Sequence, residues 1–391
     1  MMYSRRAISR ILIPGLMICS LWSLANAQKS TAQEPDTVKL NATLIQVPVV
    51  VSDRGGKFIG NLLPSDFSIL EDGKRQEVAL FKTLQQPFHA VLILDTSNCA
   101  ADRLRAMQAV AQGFARELSA QDKMMVMSFD NEVRELTEFT SEQKEIENAI
   151  AATEPGFGKL LYEAVENALN KLKAVDGRRA VILFTDGVDM KSIDATAESN
   201  YRLAEELGAV IYVVKFDTRW WQEAEARKRK KERPEKNLPF EVDVRIPLPP
   251  EYGGPDLTPP GLPRPKIEIG TSTATPPIIY QDGVTGNRTQ VNAPPPDEIT
   301  QQLNKVYGEA DAYLLSLTSR TAGTVFQAET FAATRSAFAA ILDEIRNQYL
   351  IGYYPMNEKR DGKFHKIKVE VSRKDAKVRA RPGYRSAKDT N

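Results

Sequence analysis

Apolar residues along this chain follow two different periods, and the change from one to the other comes near residue 88. From Thr37 to Leu84 they largely alternate with polar ones. Leu40-Asn-Ala-Thr-Leu-Ile-Gln-Val-Pro-Val-Val-Val-Ser52 is the clearest run, and Asp53-Arg-Gly-Gly56 and Glu71-Asp72-Gly73 supply turn chemistry. Period-two runs separated by Asp-Gly and Gly-Gly predict antiparallel hairpins, and hence a small β domain over 37–86. From His89 onward, continuous apolar runs take over at Val91–Leu94, Lys123–Phe129, Arg179–Phe184 and Ala209–Phe216. Runs of this kind suit strands buried on both faces of a parallel sheet. Between them Leu104, Met107, Val110, Phe114 and Leu118 form one helical stripe, and Leu161, Ala164, Ala168 and Leu172 another. Strands spaced by amphipathic helices predict βαβ units. The expected fold over 88–217 is therefore α/β, a doubly wound and mainly parallel Rossmann-like sheet.

The pattern breaks after Phe216. Arg219 to Lys236 reads as a charged helix containing Arg227-Lys-Arg-Lys-Lys-Glu-Arg233, and Glu232 to Pro296 holds 15 of the chain's 23 prolines. Such a composition buries too little apolar surface to offset chain entropy, so 218–297 is expected to be a charged, proline-rich, disordered insertion. Its basic run reads as a solvated helix face, with docking to acidic surfaces as the alternative. Order resumes with a helix over Gln301–Thr321, a short strand at Thr324–Gln327, an amphipathic helix over Phe331–Tyr349 and a strand at Leu350–Pro355. These assign 298–356 to the α/β domain. His365–Ser372 and Lys377–Arg381 alternate again. The segment 360–386 is thus expected to complete the first β domain as a small β-sandwich-like unit, with the α/β domain inserted between its halves.

Composition adds compartment rather than chemistry. At 391 residues and 42% hydrophobic the chain can bury a large core and divide into more than one domain. A net charge of +1 gives no global pull towards nucleic acid. Arg5, Arg6 and Arg10 precede the apolar stretch Ile11–Leu24, and Ala25-Asn-Ala27 follows it. That order predicts a secretory signal peptide over 1–27, a secreted or periplasmic product, and membrane contact only through export. Two rival readings are weaker. Leu16-Met-Ile-Cys19 has Ile18 where a lipoprotein box needs a small residue, and Ser4-Arg5-Arg6 matches a twin-arginine signal only in part. With Cys19 removed, Cys99 is the one remaining cysteine, so no intramolecular disulfide forms.

Candidate chemistry collects at predicted strand ends. Asp95-Thr-Ser97-Asn-Cys99 closes the first parallel strand, Pro155-Gly-Phe-Gly-Lys159 precedes a helix, and Phe184-Thr-Asp186-Gly-Val-Asp189 follows another strand. Open α/β sheets bind ligands beyond the carboxyl ends of their strands. The order and spacing of the three segments resemble the von Willebrand factor A (VWA) domain, over about 88–217 and again over 300–355. The flanking Val47-Pro-Val-Val-Val-Ser-Asp53, Gly352-Tyr-Tyr-Pro355 and Arg381-Pro-Gly-Tyr384 are similar to a secreted VWA-related family of acidobacteria. The resemblance implies an adhesion-type protein-interaction module. In that family Asp-x-Ser-x-Ser, a Thr of the second loop and an Asp of the third hold Mg²⁺ or a similar divalent cation, and a partner carboxylate completes the site. By position Asp95, Ser97 and Asp186 match those metal ligands. Cys99 replaces the second Ser and Lys159 replaces the Thr, which makes the site degenerate. A thiol is a poor Mg²⁺ ligand, and an ammonium competes with the cation for the same carboxylates.

Three arrangements stay open at this point: a weakened metal site on Asp95, Ser97 and Asp186, a Lys159 ammonium placed between Asp95 and Asp186 as an internal cation, or a vestigial loop without charge pairing. The expected partner-binding set is Asp95, Ser97, Cys99, Lys159 and Asp186, and the expected partner is a protein not identified by the sequence. No enzyme is expected. Cys99 lacks a nearby base, because the chain's two histidines are His89, at the far end of its strand, and His365, in the β domain. One cysteine and two distant histidines give no zinc set, and Gly156-Phe-Gly-Lys159 lacks the phosphate-loop spacing. The alternatives are a structural envelope component with a non-functional site, or an enzyme or redox module built on Cys99. Asp189 and Asp194 read as helix caps or a second cation site, and Trp220 and Trp221 as cover for the domain edge or a partner anchor.

Overall fold

The computed structural model describes residues 43–83, 87–190, 192–232, 278–281, 288–291, 297–356 and 361–386. The expected signal peptide and most of the proline-rich stretch lie outside the described residues. The chain begins with β1 (Ile45–Ser52), β2 (Phe67–Glu71), β3 (Lys74–Gln76) and β4 (Leu80–Lys82). It continues with β5 (Phe88–Asp95), α1 (Ala101–Arg116), β6 (Lys123–Phe129), β7 (Val133–Glu135), α2 (Gln143–Ala151), α3 (Leu161–Lys173) and β8 (Arg178–Thr185). Then come α4 (Ala197–Leu207), β9 (Val210–Lys215) and α5 (Arg219–Glu232). Within the insertion β10 (Ile278–Gln281) pairs antiparallel with β11 (Arg288–Val291), so part of the stretch expected to be disordered is a hairpin. The rest is α6 (Glu298–Thr321), β12 (Val325–Gln327), α7 (Phe331–Arg346), β13 (Tyr349–Tyr353), β14 (Phe364–Val371), β15 (Lys377–Ala380) and β16 (Gly383–Arg385).

Local signals explain several of these boundaries. Thr196, Asp297 and Thr330 each accept a backbone N–H from the first turn of α4, α6 and α7, satisfying donors that the helix itself leaves open. Gly208 ends α4 at φ 68°, a left-handed cap that glycine adopts without a Cβ penalty.

β12, β9, β8, β5, β6 and β7 form one six-stranded sheet in that order, parallel except for β7 at the edge. The fold is α/β with a mostly parallel central sheet. One face packs on α1, α2 and α7 through Leu92, Phe114, Ile182 and Phe338, the other on α3, α4 and α6 through Ile93, Leu169, Leu183 and Leu317. With both faces covered, the strands read as unbroken apolar runs. From β5 the chain moves to β6 on one side, then returns to β8 on the other. This places the topological switch point between β5 and β8, where sheets of this kind open a crevice.

Two antiparallel four-stranded sheets, β15-β1-β13-β4 and β16-β14-β2-β3, enclose a second core of Val47, Val49, Val51, Phe67, Ile69, Tyr349, Ile351 and Ile367. The N- and C-terminal segments therefore share one sandwich. β13 departs from the expectation of the apolar pattern, which places Leu350–Pro355 in the α/β domain and extends the preceding helix to Tyr349. The helix stops at Arg346, and β13 pairs antiparallel with β1 and β4. A wholly buried strand shows the same apolar run in either kind of sheet, so its pattern does not name its partners. The Tyr349 hydroxyl decides the matter locally: it donates to Ile59 O at 2.9 Å and accepts from Leu62 N–H at 3.1 Å. Among the described residues no helix is long and apolar enough to cross a membrane.

Candidate functional site

The β5–β8 register sets Leu94 opposite Phe184 and so brings Asp95 level with Thr185 at the switch point. Asp95 and Asp186 are both fully buried, two carboxylates side by side under the crevice. Burial at this depth demands a counter-charge. Lys159 provides it. Its Nζ lies 2.6 Å from Asp186 Oδ2 and 3.4 Å from Asp95 Oδ2, and the residue is 1% exposed.

Hydrogen-bond donors converge on the two carboxylates. Asp95 Oδ1 accepts from Ser97 N–H at 3.0 Å and from the Ser97 hydroxyl, while its Oδ2 accepts from the Thr185 hydroxyl at 2.9 Å. Asp186 Oδ1 accepts from Val188 N–H at 3.0 Å, and its Oδ2 takes the Thr218 hydroxyl as well as the ammonium. Thr218 Oγ1 and the Tyr307 hydroxyl lie 2.6 Å apart, extending the network to α6. Donor bonds to a buried carboxylate hold it ionised. One ammonium serves two carboxylates, closer to Asp186 than to Asp95. The cost falls on Asp95, the more distant partner: burial pushes its carboxyl up, with Lys159 pulling the other way. Burial also opposes the charge on Lys159, but Asp186 and Asp95 outweigh it and hold the ammonium well above its ordinary range.

Cys99 Sγ lies 3.2 Å from Ser97 Oγ, and burial pushes its thiol up, so thiolate is disfavoured. The structure thus brings Asp95, Ser97, Cys99, Lys159 and Asp186 together. The two histidines lie elsewhere. His89 packs edge-on against Phe139 at the start of β5, and His365 Nδ1 lies 2.9 Å from Asp72 in the sandwich. Asp189, on the same third loop as Asp186, caps α3, accepting from Tyr162 N–H at 3.1 Å and from the Ser192 hydroxyl at 2.6 Å.

Three members of the network were not singled out in the sequence. Thr185 was within reach, being part of the Phe184-Thr-Asp186 segment. Thr218 closely follows β9 and was open to the same strand-end logic. Tyr307 comes from a helix far along the chain, and no local signal marks it.

The second loop is held by close backbone approach. Gly156 N–H donates to Thr96 O at 2.8 Å, Leu160 N–H to Asp130 O at 2.9 Å, and Met190 N–H to Lys159 O at 3.0 Å. A Cβ on Gly156 would stand 2.0 Å from Asp130 Oδ2, and Asp130 is itself buried and tied to Arg134 at 2.7 Å. Gly156→Ala is expected to cost about 1–3 kcal/mol in urea unfolding, the usual penalty for overpacking. An unchanged midpoint would mean that the loop yields freely.

A divalent cation does not fit this arrangement. The Lys159 ammonium stands between the carboxylates, and the Ser97 hydroxyl already donates to Asp95. An added Mg²⁺ would meet a fixed positive charge within bonding distance of its own ligands.

The family model for the von Willebrand factor type A domain matches residues 90–188. No curated protein matches the chain. Among solved structures, the vWF domain of the type V pili tip protein Mfa5 from Porphyromonas gingivalis is 22% identical, over 28% of this chain and 40% of its own, with a TM-score of 0.26. The conserved hypothetical protein BatB from Bacteroides thetaiotaomicron is 13% identical over 66% of this chain and 98% of its own, with a TM-score of 0.34. Proximal thread matrix protein 1 from the mussel byssus, solved with a zinc-occupied MIDAS motif, is 17% identical over 33% and 36%, with a TM-score of 0.31. The chain thus spans less than half of the pilus-tip and byssus structures. None of the three says what this chain binds. The family match runs from β5 to Val188 and takes in Asp95, Ser97, Cys99, Lys159 and Asp186, so the strand-end site lies within the stretch, residues 90–188, that matches the von Willebrand factor type A domain family.

Proposed function

We propose that this is an exported, non-enzymatic protein-interaction module that works without a metal ion, binding through the strand-end loops 95–99, 156–162 and 186–190. The observation that carries the reading is the placement of Lys159. Its ammonium lies within 3.4 Å of both carboxylates and serves as a cation built into the chain. A metal-loaded site of this family offers its ion to a partner carboxylate, whereas this ammonium is 1% exposed. Its role is to neutralise the site and fix the second loop against the first and third. The raised thiol of Cys99 and the distant histidines support a non-catalytic site. The leader-like order of Arg5 to Ala27 supports export.

The test is thermal unfolding of the full chain with millimolar Mg²⁺ or with EDTA. The wild type is expected to melt at one temperature in both. Lys159→Thr combined with Cys99→Ser vacates the cation position and restores oxygen ligands, and this variant is expected to gain stability with Mg²⁺. A wild type already stabilised by Mg²⁺ would overturn the reading.

A further inference from the structure

Phe157 sits between two glycines, and neither the cation site nor the packing of the sheet uses its side chain. It is 75% exposed. Its backbone is constrained on both sides: Gly156 makes a parallel bridge with Ser97, and Gly158, at φ +90°, lies against Asn131, whose Cα would be 3.1 Å from an added Cβ. The segment that follows the third loop presents Ile193 at 86% exposure. Its N–H donates to Glu163 Oε1 at 2.9 Å, on the first turn of α3, the helix that Lys159 closely precedes. Trp220 and Phe331, 57% and 53% exposed, follow β9 and β12 at the same end of the sheet. Four of the eight large apolar side chains exposed among the described residues thus belong to segments at this one end. An apolar anchor on a backbone fixed in advance loses little entropy on binding, as interface hot spots require.

Among the described residues of the segments flanking the two anchors, the exposed charged side chains are carboxylates. Residues 130–135, 153–160 and 186–196 carry seven carboxylates and three cations by sequence. One of those cations, Lys159, is buried against Asp186, one of the seven carboxylates, and another of the seven, Glu135, is paired with Lys171. A second cation, Arg134, is engaged by Asp130 and Glu132. Glu132, Glu154 and Asp194 are exposed.

We infer that this face takes an apolar segment of a partner protein flanked by lysine or arginine, with Phe157 and Ile193 as its anchors. The inference rests on the reading that the strand-end loops are the binding face. It names the opposite charge preference from a metal-loaded site, because no cation is offered to the partner and an acidic rim faces it.

Two labelled synthetic peptides test this, one with a leucine-phenylalanine core flanked by lysines, the other with the same core flanked by glutamates. Fluorescence anisotropy against the full chain in EDTA is expected to show the lysine-flanked peptide binding roughly tenfold tighter or more. That affinity should fall as salt rises. Phe157→Ala should weaken it by roughly tenfold while leaving the circular dichroism spectrum unchanged. Glu154→Lys combined with Asp194→Lys should abolish the preference. Equal binding of the two peptides, indifference to Phe157→Ala, or a preference that survives the double charge reversal would each overturn the inference. None of these results touches the metal-free reading, which stands or falls on the Mg²⁺ melts.

Discussion

Replacing Lys159 by methionine is expected to destabilise the α/β domain by about 3–5 kcal/mol, the range for removing one partner of a buried ion pair. Methionine fills much of the same volume, so the loss is electrostatic rather than a cavity. Asp95 and Asp186, both fully buried, would face each other with hydroxyl and backbone donors but no counter-charge. The dependence on pH follows from the direction of the shifts. Lys159 titrates above its ordinary value in the folded protein, so its contribution is complete below about pH 10 and is lost as pH rises through the folded value. Asp95 is already pushed up by burial, and losing the ammonium pushes it further. The variant therefore recovers stability as pH falls and one carboxylate takes up a proton. The gap between wild type and variant should be widest near neutral pH and narrow in both acid and strong alkali. Urea unfolding from pH 4 to 10 measures the acid side and the plateau. Adding Asp186→Asn to Lys159→Met should restore much of the loss at neutral pH, because one buried charge goes with the other. A loss under about 1 kcal/mol at pH 7 would mean that the ammonium is not the counter-ion.

The reach of the sequence differs between this site and the rest of the fold for a physical reason. Asp95, Ser97, Lys159 and Asp186 lie at the ends of apolar runs or just before a helical stripe, and a parallel sheet carries such ends to one edge. Their convergence was therefore legible, and so was the conflict between a lysine and a metal. Which of three arrangements the conflict takes was not legible, because that depends on where a flexible four-carbon side chain points. Thr218 and Tyr307 mark a second boundary. Thr218 directly precedes α5 and Tyr307 lies on α6, and residues so far apart in sequence carry no common period. β13 marks a third, since burial on both faces erases the alternation that would have assigned it to the sandwich.

The position of β13 also governs the outcome of removing the chain's last strands. Ending the chain after Pro355 deletes β14, β15 and β16, three of the eight sandwich strands. β2 then loses β14, its partner over five register pairs, and β1 loses β15 over four. Ile367 and Tyr384 leave the core, with Val369, Val371 and Val378 beside them, exposing the inner faces of Phe67 and Ile69. Each large apolar side chain is worth about 1.5–3 kcal/mol when fully buried, so the sum reaches the whole stability of a small domain, about 5–15 kcal/mol. The expected result is loss of the sandwich rather than its weakening. Amide exchange should lose its protection across 45–82 and across Tyr349–Tyr353, although the latter segment is still present. The six-stranded sheet keeps all its strands, but Glu205 on α4, 1% exposed, loses Arg385 and retains Arg320. Protection in β5, β8 and β9 should therefore persist while that of α4 falls. An N-terminal segment that stays protected in the truncated chain would show that its hairpins fold without the C-terminal half, against the shared core seen here.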